Sequence, residues 1–107
     1  MNEIELKKIL DEHKLWLNGN GGQQADLSRA DLRWANLSGA DLREANLDYS
    51  CWPLWCGSKN VKVDLRIVYQ LLAHVACLDC KEKEFAKIKK AIMPYAKKSH
   101  RAEDLGL

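Results

Sequence analysis

Residues 25–49 read Ala25-Asp26-Leu27-Ser28-Arg29, Ala30-Asp31-Leu32-Arg33-Trp34, Ala35-Asn36-Leu37-Ser38-Gly39, Ala40-Asp41-Leu42-Arg43-Glu44 and Ala45-Asn46-Leu47-Asp48-Tyr49. These are five frames of Ala-(Asp/Asn)-Leu-x-x, and a degenerate sixth follows as Ser50-Cys51-Trp52-Pro53-Leu54. A period of five matches neither the helical nor the strand repeat, so each frame must combine a short extended piece with a corner, wound about an axis. The apolar Ala and Leu positions point inward. The Asp/Asn side chains are suited to bonding the backbone that holds each corner, as they do in turns. The two variable positions face solvent.

This pattern resembles the pentapeptide-repeat family. The resemblance implies an α+β fold built on a right-handed quadrilateral β-helix with one pentapeptide per side, about 20 residues per coil, and coils about 4.8 Å apart. Residues 23–57 would then make only about one and a half coils, too few to stand without caps at their apolar ends. Two further segments, Ile9-Leu10-Asp11-Glu12-His13-Lys14-Leu15-Trp16-Leu17 and Ser50-Cys51-Trp52-Pro53-Leu54-Trp55-Cys56-Gly57, look like those of small pentapeptide-repeat proteins of phages and prophages. That likeness brings no catalytic residue with it.

The flanks read as helical caps on a single domain spanning 1–107, with an N-terminal cap over 1–19 and a C-terminal cap over 61–107. A first helix is expected over about 3–17, opened by Asn2 and Glu5 in a capping-box pattern and stopped by Asn18-Gly19. A second begins after Asp64 and turns Leu65, Val68, Leu72 and Val75 or Ala76 inward. A third begins at Asp79 with Glu82 as its capping partner, presents Phe85, Ile88 and Ile92, and ends or kinks at Pro94.

The net charge of +2, from 17 Lys+Arg and 15 Asp+Glu, is too small to announce a nucleic-acid binder or a DNA mimic. Charge is nevertheless segregated along the chain. Residues 1–57 hold six Lys or Arg against nine Asp or Glu, whereas 81–101 hold eight against two. Lys83, Lys87 and Lys90 share one side of the third helix, and Lys97, Lys98 and Arg101 prolong the strip. It is either a solvated face or a binding strip for nucleic acid or another anionic ligand. DNA mimicry by the repeat is disfavoured, because Arg29, Arg33 and Arg43 would repel a DNA-binding partner, and duplex DNA carries one charge per about 1.7 Å.

Cys51, Cys56, Cys77 and Cys80, with His74, could supply zinc ligands, but their spacing is irregular. Buried free thiols and no metal are the expectation. His13 and His74 fall on apolar helix stripes and are expected as packed core histidines. No Ser-His-Asp order, phosphate loop or metal-hydrolase motif is present, so no cofactor and no enzymatic activity are expected. The charged N-terminus and the lack of an apolar run of about 18 residues point to a cytoplasmic protein without a membrane partner.

The candidate binding site follows from stacking. With about 20 residues per coil in the resembled fold, Trp34 lies under Leu54, Arg33 under Pro53 and Arg29 under Tyr49. Arg29, Arg33, Trp34, Tyr49 and Leu54 would then form one patch of the residue types that dominate binding hot spots. Either the patch meets a partner, such as a bacterial host or defence protein or a second copy of the chain, or the C-terminal helices cover Trp34. The first reading makes the chain an interaction module, plausible as a phage-encoded inhibitor.

Overall fold

The computed structural model describes residues 1–107, which divide into two compact units, Met1–Asp64 and Leu65–Leu107.

The first unit opens with helix α1, Glu3–Leu17. Asn2 caps it: its side-chain oxygen accepts from the Glu5 N–H at 2.8 Å, and its amide donates to the Glu5 carboxylate at 3.3 Å. Leu6 and His13 form its buried stripe. Gly22 then returns the chain against the helix with φ +72°, where any Cβ would overlap the Glu12 carbonyl and the Leu15 Cβ.

Each of the five frames folds in one way. The Leu side chain is buried, Leu27, Leu32, Leu37 and Leu42 completely and Leu47 nearly so. Its carbonyl accepts from the N–H that opens the next frame, Ala30, Ala35, Ala40, Ala45 and Ser50 in turn, at 2.8–3.1 Å. That closes a β-turn over the two variable residues. The preceding Asp or Asn accepts from the N–H two residues on: Asp26 from Ser28, Asp31 from Arg33, Asn36 from Ser38, Asp41 from Arg43 and Asn46 from Asp48. Corner-holding by Asp/Asn is therefore found in every frame. The last residue of the frame is left-handed at Arg29, Gly39, Glu44 and Tyr49, and Trp34 is the exception.

Successive coils touch through three isolated parallel bridges, Asp26 with Asn46, Asp31 with Cys51 and Asp41 with Lys62. There is no β-strand and no sheet, so the expected right-handed quadrilateral β-helix and the α+β class are corrected: the regular elements are three α-helices, and the repeat is a stack of turns. The reason lies in the frame itself. Two of five residues form the turn, and the Asp/Asn side chain takes the N–H of the fourth, so too little extended backbone is left for a ladder to propagate.

The stacking register also differs from a strict 20. It is 20 at the first two bridges and 21 at the third. The extra residue is absorbed between Cys51 and Gly57, where Pro53 turns inward and Cys56–Ser58 forms a 3-10 turn. Gly57 is buried there, and a Cβ would stand 2.6 Å from the Ala35 carbonyl oxygen.

The second unit pairs α2, Leu65–Ala76, with α3, Lys83–Ala96. Its core is Ala73, Ala76 and Ala96, surrounded by Leu72, Ile92, Met93, Leu105 and Leu107. The buried line of α2 is Ile67, Gln70, Ala73 and Ala76; Leu65, expected inside, is exposed, and of the alternatives Val75 and Ala76 it is Ala76 that is buried. Small alanines let the helices approach closely, so the contact line follows them and not the largest side chains. Helix α3 starts at Lys83, later than expected: Glu82 is its N-cap residue, and Asp79 pairs with Lys81 at 2.7 Å outside the helix. Pro94 neither ends nor interrupts it; α3 continues to Ala96. The missing N–H falls in the exposed last turn, where the loss of one bond is tolerated.

Candidate protein-binding surface

His13 fixes the wall on which the candidate site lies. Its ring is fully buried, Nδ1 accepts from the Ala25 N–H at 2.9 Å, and Nε2 donates to the Arg43 carbonyl at 2.7 Å. Because Ala25 can only donate there, the geometry selects the Nε2–H tautomer of the neutral ring. One side chain thus ties α1 to the first frame and to the fourth. Trp16 stacks on the ring, with centroids 5.7 Å apart.

Outside, Trp34 is 85 % exposed, Leu54 94 % and Tyr49 64 %. The Arg29 guanidinium sits 5.0 Å from the centroid of the Tyr49 ring, so the expected stacking of these two residues is realised as a cation–π contact. Arg33 is differently occupied. Its guanidinium grips Asp31 with two bonds of 2.9 and 2.8 Å, as Arg43 grips Asp41. Those bonds hold the Asp31 carboxyl down to about 2 and lower that of Asp41; the Ser28 hydroxyl similarly lowers Asp26. Pro53, expected above Arg33 on the outer wall, is buried. The register slip passes through Trp55, which is 45 % exposed and whose ring stands against Gly57.

A groove of about 710 Å³ opens beside this wall, between α1 and the second frame. Leu6 and Leu10 from α1 and Leu32 and Ala35 from the repeat line it, and Trp34 stands at its edge. Sequence reasoning missed the groove. It needs the packing of α1 on the repeat, which no sequence spacing encodes.

The repeating turn, its Asp/Asn bond and its buried Leu together define a recognisable unit, and a family model tests it. Residues 25–51 match Pentapeptide repeats (8 copies). No curated protein and no solved structure matches the chain. The matched stretch is shorter than the eight copies of the family description, and it holds Arg29, Arg33, Trp34 and Tyr49, with Leu54 just beyond.

The remaining candidates separate. All four cysteines are exposed, which corrects the expectation of buried thiols. Cys51 occupies the outward Asp/Asn position of its frame, bridged to Asp31, and Cys77 makes one long contact, 3.7 Å from sulfur to the Leu105 carbonyl. No three His, Cys, Asp or Glu side chains come together to hold a metal; of the zinc candidates, Cys51 and Cys56 belong to the first unit and His74, Cys77 and Cys80 to the second. His74, expected in the core, is exposed at the end of α2. In the basic strip Lys98 lies over the Tyr69 and Tyr95 rings at 5.7 and 5.9 Å, and Arg101 pairs with Asp104 at 2.8 Å. Lys83, Lys87, Lys90 and Lys97 stay exposed. No helix is long and apolar enough to cross a membrane.

Proposed function

We propose that the chain is a non-enzymatic protein–protein interaction module that binds its partner through the wall of Trp34, Tyr49 and Leu54, with Arg29 and Arg33 beside them. The exposure of Trp34 and Leu54 carries this reading. An indole left in water on a scaffold of hydrogen-bonded turns adds nothing to its own core, while aromatic and Arg side chains concentrate binding energy at interfaces. Arg29, already stacked on Tyr49, is held for contact at little further entropic cost. The groove next to Trp34 offers a partner side chain an apolar seat.

The likeness of segments 9–17 and 50–57 to small phage and prophage proteins supports a more specific reading, in which the module is phage-encoded and inhibits a host or defence protein in the bacterial cytoplasm. The test is capture from bacterial lysate on immobilised wild-type chain and on a Trp34→Ala/Leu54→Ala double variant, followed by mass spectrometry. The expected result is a protein held by wild type and lost by the double variant. Retention unaffected by the double substitution, or retention of nucleic acid alone, overturns the reading.

A further inference from the structure

The second unit carries a feature that the wall of Trp34 does not use. Lys83, Lys87, Lys90 and Lys97 recur at helical spacing along one face of α3, and Lys89 flanks them. None of these five ammonium groups has an ion-pair partner in the protein. No Asp or Glu occurs between Glu84 and Glu103 to neutralise them.

A row of solvated lysines alone would be an ordinary helix exterior. Here, however, Lys89, Lys90 and Lys97 line an open recess of about 450 Å³ together with Ala86, Met93 and Pro94. Pro94 stands in the last turn of α3 and lines the recess.

The combination selects a ligand chemistry. A phosphate backbone needs cations but no apolar seat, and base stacking needs free aromatic faces. Tyr95, half-exposed, is the one exposed ring on α3, with Lys98 5.9 Å from its centroid, and a single ring is no platform for successive bases. Every cation lining the recess is a lysine, a point charge without the fork that grips phosphate bidentately. We propose that this face of α3 is a second binding site, one that takes an acidic peptide segment of a partner protein: carboxylates meet Lys89, Lys90 and Lys97, and an apolar side chain of leucine size fills the recess between them.

Fluorescence anisotropy on the full chain at physiological salt tests the site with three labelled probes: the peptide Glu-Asp-Leu-Glu-Asp, its counterpart with Gly in place of Leu, and a short DNA duplex. The Leu peptide is expected to bind at least about fivefold more tightly than the Gly peptide. Lys90→Glu should weaken it about tenfold. Ala86→Leu, which fills the recess at an exposed helical position, should abolish the preference for Leu over Gly while circular dichroism stays unchanged. Trp34→Ala should leave all these affinities unchanged, which separates this site from the wall proposed above. Equal affinity for the two peptides, binding of neither, or tighter binding of the duplex than of the Leu peptide overturns the proposal.

Discussion

His13 illustrates how much one side chain can organise. It is buried, and both ring nitrogens are used, so His13→Ala removes a packed ring and leaves the Ala25 N–H without its acceptor. We expect a loss of about 2–4 kcal/mol in urea unfolding, and a loss below about 1 kcal/mol would contradict the clamp. Gly57→Ala should cost about 1–3 kcal/mol, because the new methyl meets the Ala35 carbonyl oxygen and the Trp55 ring. Asp31 predicts a pH dependence. Its carboxyl is held down to about 2 by Arg33, against an ordinary value near 3.9, so the folded state binds fewer protons than the unfolded one in between. The associated stability is complete above about pH 4 and disappears as pH falls through about 2. Asp31→Asn keeps an acceptor for the Arg33 N–H but lacks the charge, and its urea midpoint should fall less between pH 5 and 2.5 than that of wild type. An equal fall would remove Asp31 from the acid response. His13 was legible in the sequence because it sat on an apolar stripe. His74 satisfied the same pattern and proved exposed, since a stripe says which residues share a face and not whether anything covers it.

At the level of elements, the repeat was legible position by position because each position answers to a different force: Leu to burial, Asp/Asn to the corner bond, and the variable pair to the turn. Leu37→Ala should therefore cost about 2–5 kcal/mol, as for other buried leucines, and this is measurable by denaturant titration. The left-handed frame ends make the opposite prediction. Glu44 sits at φ 64°, so Glu44→Gly should stabilise by roughly 0.5–1 kcal/mol and raise the melting temperature by a few degrees. A lower melting temperature would mean that the Glu44 side chain contributes more than its backbone costs. The β-ladder was not legible, because the turns that the sequence announces also consume the backbone that a strand would need. Nor was the slip between Cys51 and Gly57, which depends on Pro53 turning inward. In α2 the pattern pointed to the large residues, and packing followed Ala73 and Ala76.

For the whole molecule, the two units carry different surface chemistry: an aromatic and apolar wall on Met1–Asp64 and an unneutralised lysine face on Leu65–Leu107. The segregation of charge along the chain made the second legible, and the 20-residue stacking made legible the pairing of Arg29 with Tyr49 in the first, though not the burial of Pro53. The cysteines show the limit of spacing arguments, since free thiols are usually buried and these four are not. The central claim is that the Trp34 wall exists for contact with another protein and not for the chain's own stability. Thermal unfolding of Trp34→Ala/Leu54→Ala against wild type tests it most directly. The account predicts melting temperatures within about 1 °C of each other, because residues this exposed remove almost no buried area. A fall of several degrees would show that these side chains hold the chain together, and would contradict the claim.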